Sequence, residues 1–233
     1  MQIRFRGVSL TGEAGATTNT RAAATLAALD IPLDKHRTLT TIKGDGVQGT
    51  QITWHFQETC PAGNSSAAML KAWDDPAWAR DNPNCPLVNC KRAFMRSHEL
   101  VAYTRGDLHL QLPAPCPQPF CETPDTRKAA AMERLGHPLR GVRKVGSEYR
   151  FQFPQSAAAD FALWDDPKTH MRLPDAMISY LWCAFDNHRV MVDAIKQHGV
   201  QFAAVEHRGR RAFVGKDMDQ RSIDGLEKIL YRR

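Results

Sequence analysis

The sequence predicts an α+β fold: two tandem copies of a helix–β-hairpin–helix–helix module, joined by a four-cysteine zinc element. Three observations carry this. TRAAATLAALDIPL (20–33) and TRKAAAMERLGHPL (126–139) agree at seven of fourteen positions. Further pairs follow in the same order: WHFQ with YRFQ, AAMLKAWDDP with AADFALWDDP, AFMRSH with AFDNH. Ordered self-similarity of this length is the mark of an internal duplication. The third observation is a doubled C-x4-C, in CPLVNC (85–90) and CPQPFC (116–121).

The modules follow in order. IRFR, near the start, alternates as an opening strand, with Ile3 and Phe5 on one face. Thr20 and Thr126 suit helix N-caps, and the alanine runs after them favour helix. Asp30 and Gly136 fall where those helices should stop, with Pro32 and Pro138 blocking continuation. Alternation then puts Ile52, Trp54 and Phe56 on one strand face, and Tyr149, Phe151 and Phe153 on another. Each strand is the second arm of a hairpin, long-looped at GDGVQG and tight at Gly146-Ser147. Short helices at 66–73 and 156–164 lead into the WDDP segments. A longer helix begins near Pro174 and stops at Gly199, with Met177, Leu181, Phe185, Val192 and Ile195 along one side. The chain closes with a hairpin turning at HRGR and a helix near 219–231. The boundaries are 1–112 for the first module with its strand, 113–125 for a Pro/Cys-rich linker completing the zinc site, and 126–233 for the second module with the closing hairpin and helix.

The cysteines set the candidate cofactor. Pairs of thiolates on short proline-stiffened loops converge on tetrahedral metal, and four sulfurs select Zn2+. Cys85, Cys90, Cys116 and Cys121 are the expected ligands, with Cys60, His98 and His109 in reach as substitutes and Cys183 read as a core thiol. Four thiolates leave no position for water, so the zinc is read as structural. A nucleobase deaminase would pair PCPQPFC with an upstream H-x-E. Here His98 and Glu99 are adjacent, about 100° apart on a helix, and cannot share that task.

No phosphate-binding glycine loop, nucleophile elbow or H-E-x-x-H spacing occurs. The paired aspartates of WDDP suit Mg2+ or, as their repetition favours, capping and turning before the next helix. The equivalent placement of Trp54, Trp73, Trp164, Tyr149 and Phe151 within the two modules reads as core packing rather than base stacking.

Charge supplies the functional lead. The 233 residues carry a net charge of +6, with 42% hydrophobic and 24% charged residues. Residues 127–150 hold seven Lys/Arg against two Glu, and residues 207–233 hold eight against four acids. Arg140, Arg143, Lys144 and Arg150 gather on and beside the second hairpin, and Arg208, Arg210 and Arg211 at the turn of the last. Basic turns of this kind contact phosphates without reading bases. The expectation is a non-catalytic, zinc-containing nucleic-acid-binding protein, DNA or RNA, or a subunit of a nucleoprotein complex, in a setting such as phage, plasmid or defence machinery. The alternative is a protein-interaction module, an inhibitor or adaptor, with zinc purely structural. No secretory signal or membrane span is seen, so the cytoplasm is the expected compartment and no membrane partner is expected.

VRKVGSEYRFQF resembles the wing of small excisionase-type winged helix–turn–helix proteins. Those proteins place a recognition helix between first helix and wing. GHPLRG is too short to be one, so no family membership follows.

Overall fold

The computed structural model describes residues 14–31, 33, 38–44, 47–57, 65–115, 120–166, 168–197, 202–207 and 210–215. The expected opening strand and closing helix lie outside these. The chain begins with β1 (Ala16–Thr17), α1 (Thr20–Ala28) and the strands β2 (Thr38–Gly44) and β3 (Val47–His55). Then come α2 (Ser66–Asp74), α3 (Pro76–Asp81) and α4 (Pro86–Arg105). Next are β4 (Phe120–Thr123), α5 (Thr126–Arg134), β5 (Gly141–Val145) and β6 (Glu148–Pro154). A 3-10 turn (Gln155–Ala157) leads to α6 (Ala158–Asp165), α7 (Thr169–Arg172) and α8 (Met177–Gln197), followed by β7 (Phe202–His207) and β8 (Arg210–Gly215). The class is α+β.

Two compact units form. One is Asn82–Phe185; the other combines Gln2–Asp81 with Asp186–Arg233. The division therefore does not fall at the Pro/Cys-rich linker. It separates α4 from the residues before it, and cuts through α8.

In the Gln2–Asp81/Asp186–Arg233 unit, β3 is the hub. It pairs antiparallel with β1 (Ala16↔His55), with β2 (Thr38↔Thr53 through Gly44↔Val47) and with β8 (Thr50↔Gly215), and β8 pairs with β7. Pairing as far as Gly44↔Val47 leaves only 45–46 between the strands, so this hairpin is not long-looped. Gly44 and Gly49 belong to the strands rather than the loop. Trp54 and Phe56 are buried, as are Ala22, Ala23, Ala24 and Leu26 of α1. Gly15 is fixed by close approach. Its N–H donates to Ser66 Oγ at 2.7 Å, its carbonyl accepts from Phe56 N at 2.9 Å, and a Cβ there would stand 2.7 Å from the Ser66 carbonyl carbon.

In the Asn82–Phe185 unit, an antiparallel sheet in the order β4–β6–β5 packs Phe151 and Phe153, both fully buried, beneath its helices. α5 buries Ala129, Ala130, Ala131 and Met132, and α4 lies along it. The small side chains let the two helices approach closely. Arg96 of α4 forks onto Glu133 of α5, Nε to Oε2 at 2.7 Å and Nη2 to Oε1 at 3.2 Å, and Ser97 Oγ meets Thr126 Oγ1 at 3.2 Å. No helix occupies 135–140, so the recognition helix of a winged helix–turn–helix is absent there.

Helix ends correct one sequence reading and support another. The N-caps are Asn19 and Asp125, not Thr20 and Thr126. Asn19 Oδ1 accepts from Arg21 N and Ala22 N at 3.0 and 3.2 Å, and Asp125 Oδ1 from Arg127 N at 2.8 Å. Asn and Asp outrank Thr as caps, so each cap lies one residue earlier than the sequence assignment and each threonine opens its helix. At the other end, Asp30 (φ 57°) and Gly136 (φ 93°) are both left-handed. Ile31 N reaches Leu26 O and His137 N reaches Met132 O, the same Schellman closure twice. The second aspartate of the first WDDP does cap, since Asp75 Oδ1 accepts from Ala77 N and Trp78 N, whereas Asp166 Oδ1 accepts only from Lys168 N, the residue before α7, and that helix has no side-chain cap.

Candidate functional site

The cysteines are placed first by helix α4. Pro86 is at its first turn and Cys85 is its N-cap residue. Proline there begins the helix rather than stiffening a loop. The expected loop is helix instead, and Cys90 lies inside it. Five positions on a helix turn the side chain by about 140° relative to the start. Cys90 is 1% exposed, and its Sγ donates to Tyr180 O at 3.7 Å. Burial pushes the Cys90 thiol strongly upward, and the neighbouring Cys85 and Cys183 sulfurs push it the same way. This thiol is therefore held protonated. Cys85 is raised by burial, opposed by the N–H groups of Leu87 and Val88. Cys121, half-buried on β4, is raised by burial and opposed by the Lys128 charge.

Cys116 and Cys60 lie outside the described residues. His98 and His109 are exposed. Among the described residues no group of three or more His, Cys, Asp or Glu is arranged to hold a metal ion. Cys85, Cys90 and Cys121 are thus not gathered into one such group, while Cys90 has Cys85 and Cys183 as its sulfur neighbours.

The basic hairpin β5–β6 lies wholly within the described residues. Its register sets Arg143 opposite Arg150 and Lys144 opposite Tyr149. Two like charges facing across a ladder repel, and an acid resolves the conflict. Glu122 of β4 accepts from Arg143 Nε at 2.6 Å and Nη2 at 2.7 Å, and from Gln152 Nε2 at 2.7 Å. Arg150 Nη1 stands 3.9 Å from the same carboxylate, and Arg150 Nη2 pairs with Glu148 at 3.1 Å. The Arg143 hydrogen bond holds the Glu122 carboxyl below its usual range against the opposing effect of burial, helped by Gln152 and by the Arg143 and Arg150 charges. Arg143 and Arg150 are therefore partly neutralised. Arg140 and Lys144 are exposed and form no ion pair among the described residues. The Lys144 ammonium lies 5.4 Å from the Tyr149 ring centroid, and that ring meets Tyr103 edge-on at 5.5 Å.

At the last hairpin, Arg208 lies outside the described residues. Arg210 and Arg211 open β8 opposite His207 and Glu206. Register thus places an acid across from Arg211.

Two charged residues here escaped the sequence reading. Glu122 sits in a stretch read as linker, because a four-residue strand between prolines has no visible period. Lys128, 6% exposed, donates from Nζ to Asp165 Oδ2 at 2.7 Å and lies 4.2 Å over the Phe161 ring. Its one sequence signal is a lysine at the position where the first repeat has Ala22.

No helix among the described residues is long and apolar enough to cross a membrane. No family model, curated protein or solved structure matches the chain.

Proposed function

We propose that the protein binds nucleic acid without catalysis, through the phosphate backbone, using the β5–β6 hairpin, and that its two halves are diverged copies of one module. The observation that carries the binding reading is Arg140, just before β5, and Lys144, within it, both exposed with no ion pair among the described residues. On the other face of the strand from Lys144, Arg143 is fixed by Glu122 through Nε and Nη2. Its Nη1 has no role in that fork and points to a use as a pre-oriented donor. The repeat reading is supported by element order: helix, hairpin, helix, short helix, long helix occurs in both halves.

The test is retention on heparin and on mixed-sequence DNA and RNA. Each phosphate contact contributes about 0.9 to the slope of log K against log salt on duplex DNA. Arg140→Ala with Lys144→Ala should therefore flatten the slope by about 1.8, equally for unrelated sequences. Absence of binding at about 50 mM salt, or a double variant with the parent slope, overturns the reading.

A structural Zn2+ on Cys85, Cys90, Cys116 and Cys121 is proposed separately, on the spacing of the two pairs. The buried, protonated Cys90 is the ligand that fits least. Metal analysis of the purified protein should give one Zn2+ per chain, lost in Cys121→Ser. Metal-free protein that keeps its fold removes the zinc and leaves the hairpin proposal standing.

A further inference from the structure

The compact units do not coincide with the halves of the sequence, and this has a physical content. The Asn82–Phe185 unit takes its helix α4 from the first half of the chain. That helix buries Leu87, Val88, Ala93, Phe94 and Leu100. Its partners come from the second half. The Phe94 ring is 4.6 Å from Phe185, Arg96 forks onto Glu133, and Ser97 meets Thr126.

The other unit shows the reverse. Residues 2–81 belong to the first half, and the elements that complete them come from 186–233. Asn187, 9% exposed, donates from Nδ2 to the Ala24 carbonyl of α1 at 3.3 Å, and Met191 is 2% exposed. Strand β8 pairs with β3 at Thr50↔Gly215.

We infer that the residues before and after the connection at 107–111 are two complementary partners, each supplying a helix to a core made mostly by the other, and that they stay bound when that connection is cut. Asp107, Leu108, His109 and Gln111 are exposed, whereas Pro113 already accepts a hydrogen bond from Val142 N at 3.2 Å. The covalent join therefore sits outside both cores. Neither half can close a core alone. The first would expose the apolar side of α4, and the second would leave the alanine face of α5 open to water. The surface recognised is thus an apolar helix face fringed by the Arg96–Glu133 fork, and its partner is the opposite half of this chain.

The experiment uses the full chain with a site for a sequence-specific protease inserted after Asp107 in one version and after Gln111 in another. The folded protein is cut and passed over a sizing column without denaturant. Both halves should elute together at the position of uncut protein. The urea midpoint of the cut protein should fall on tenfold dilution, while that of the uncut protein stays fixed. Arg96→Ala in the cut protein should weaken association about tenfold, the loss of roughly 1.4 kcal/mol from a charge-assisted fork. Halves that elute apart, or one half that precipitates while the other remains in solution, overturn the inference. Loss of helical signal on insertion at both exposed sites overturns it as well.

Discussion

Phe161→Ala should lower stability by about 3–5 kcal/mol, the usual cost of emptying a buried phenylalanine site. The side chain is 8% exposed and its ring is 5.8 Å from that of Phe153, itself fully buried. Phe161 has a second task. The Lys128 ammonium stands 4.2 Å above its ring and bonds Asp165 at 2.7 Å. A lysine with only 8% of its side chain exposed needs both neighbours, since an unpaired buried charge is costly. Phe161→Leu keeps most of the volume and removes the ring face. It should therefore cost more with Lys128 present than in a Lys128→Met background, by about 0.5–2 kcal/mol. Lys128→Met alone should be close to neutral, because Asp165 is 68% exposed and is not left as a buried charge. Urea unfolding of the four proteins measures this. Equal costs of Phe161→Leu in both backgrounds would show that the ring serves packing only.

Gly141→Val should destabilise by about 3 kcal/mol, the upper part of the range for overpacking. A Cβ on Gly141 would meet Ala114 O at 2.8 Å, Pro115 Cα at 2.9 Å and Gln152 Oε1 at 2.5 Å. None of these yields easily. Gln152 is 1% exposed and tied to Glu122, and the 113–115 backbone is held by Val142 N. Gly146, at the hairpin tip, is the control. Its φ of 61° disfavours other residues, yet nothing lies within 4 Å of an added Cβ. Gly146→Ala should cost only about 1 kcal/mol. The Gly141 variant should also change the acid limb of stability. Glu122 has a folded pKa below its unfolded one. Its contribution is complete above the unfolded value of about 4.3 and is lost as pH falls through the folded value. Displacing Gln152 weakens that arrangement, so stability should depend less on pH in this window. Parallel acid limbs in parent and variant would separate Gly141 from the Glu122 network.

The α+β class, the hairpins and most helices were legible because they rest on local signals: alternation at Trp54 and Phe56, alanine runs, and glycine at position 136. The caps were missed by one residue because two adjacent residues each had capping chemistry. The first hairpin loop was overestimated because Gly44 and Gly49, which read as loop, belong to strands. Cys90 was misplaced because Pro86 fits a stiff loop and a helix start equally well in sequence. Of the basic cluster, Arg140 and Lys144 are as exposed as the charge count implied. The pairing of Arg143 was hidden, because Glu122 reaches it only through the register of β4 on β6. The make-up of the two units is the least local property of all, and nothing in the spacing of repeats announces it.

That make-up bears on synthesis. Residues 2–81 leave the ribosome well before 186–233 exist, and the two stretches belong to one unit. At about 5–20 residues per second the wait is on the order of 5–20 s. Throughout it, the emerging segment presents an unfinished apolar surface and an open strand edge at β3, the substrate a holding chaperone takes. A message truncated after codon 185 would yield a product that keeps every residue of the Asn82–Phe185 unit and none of the 186–233 complement of the other.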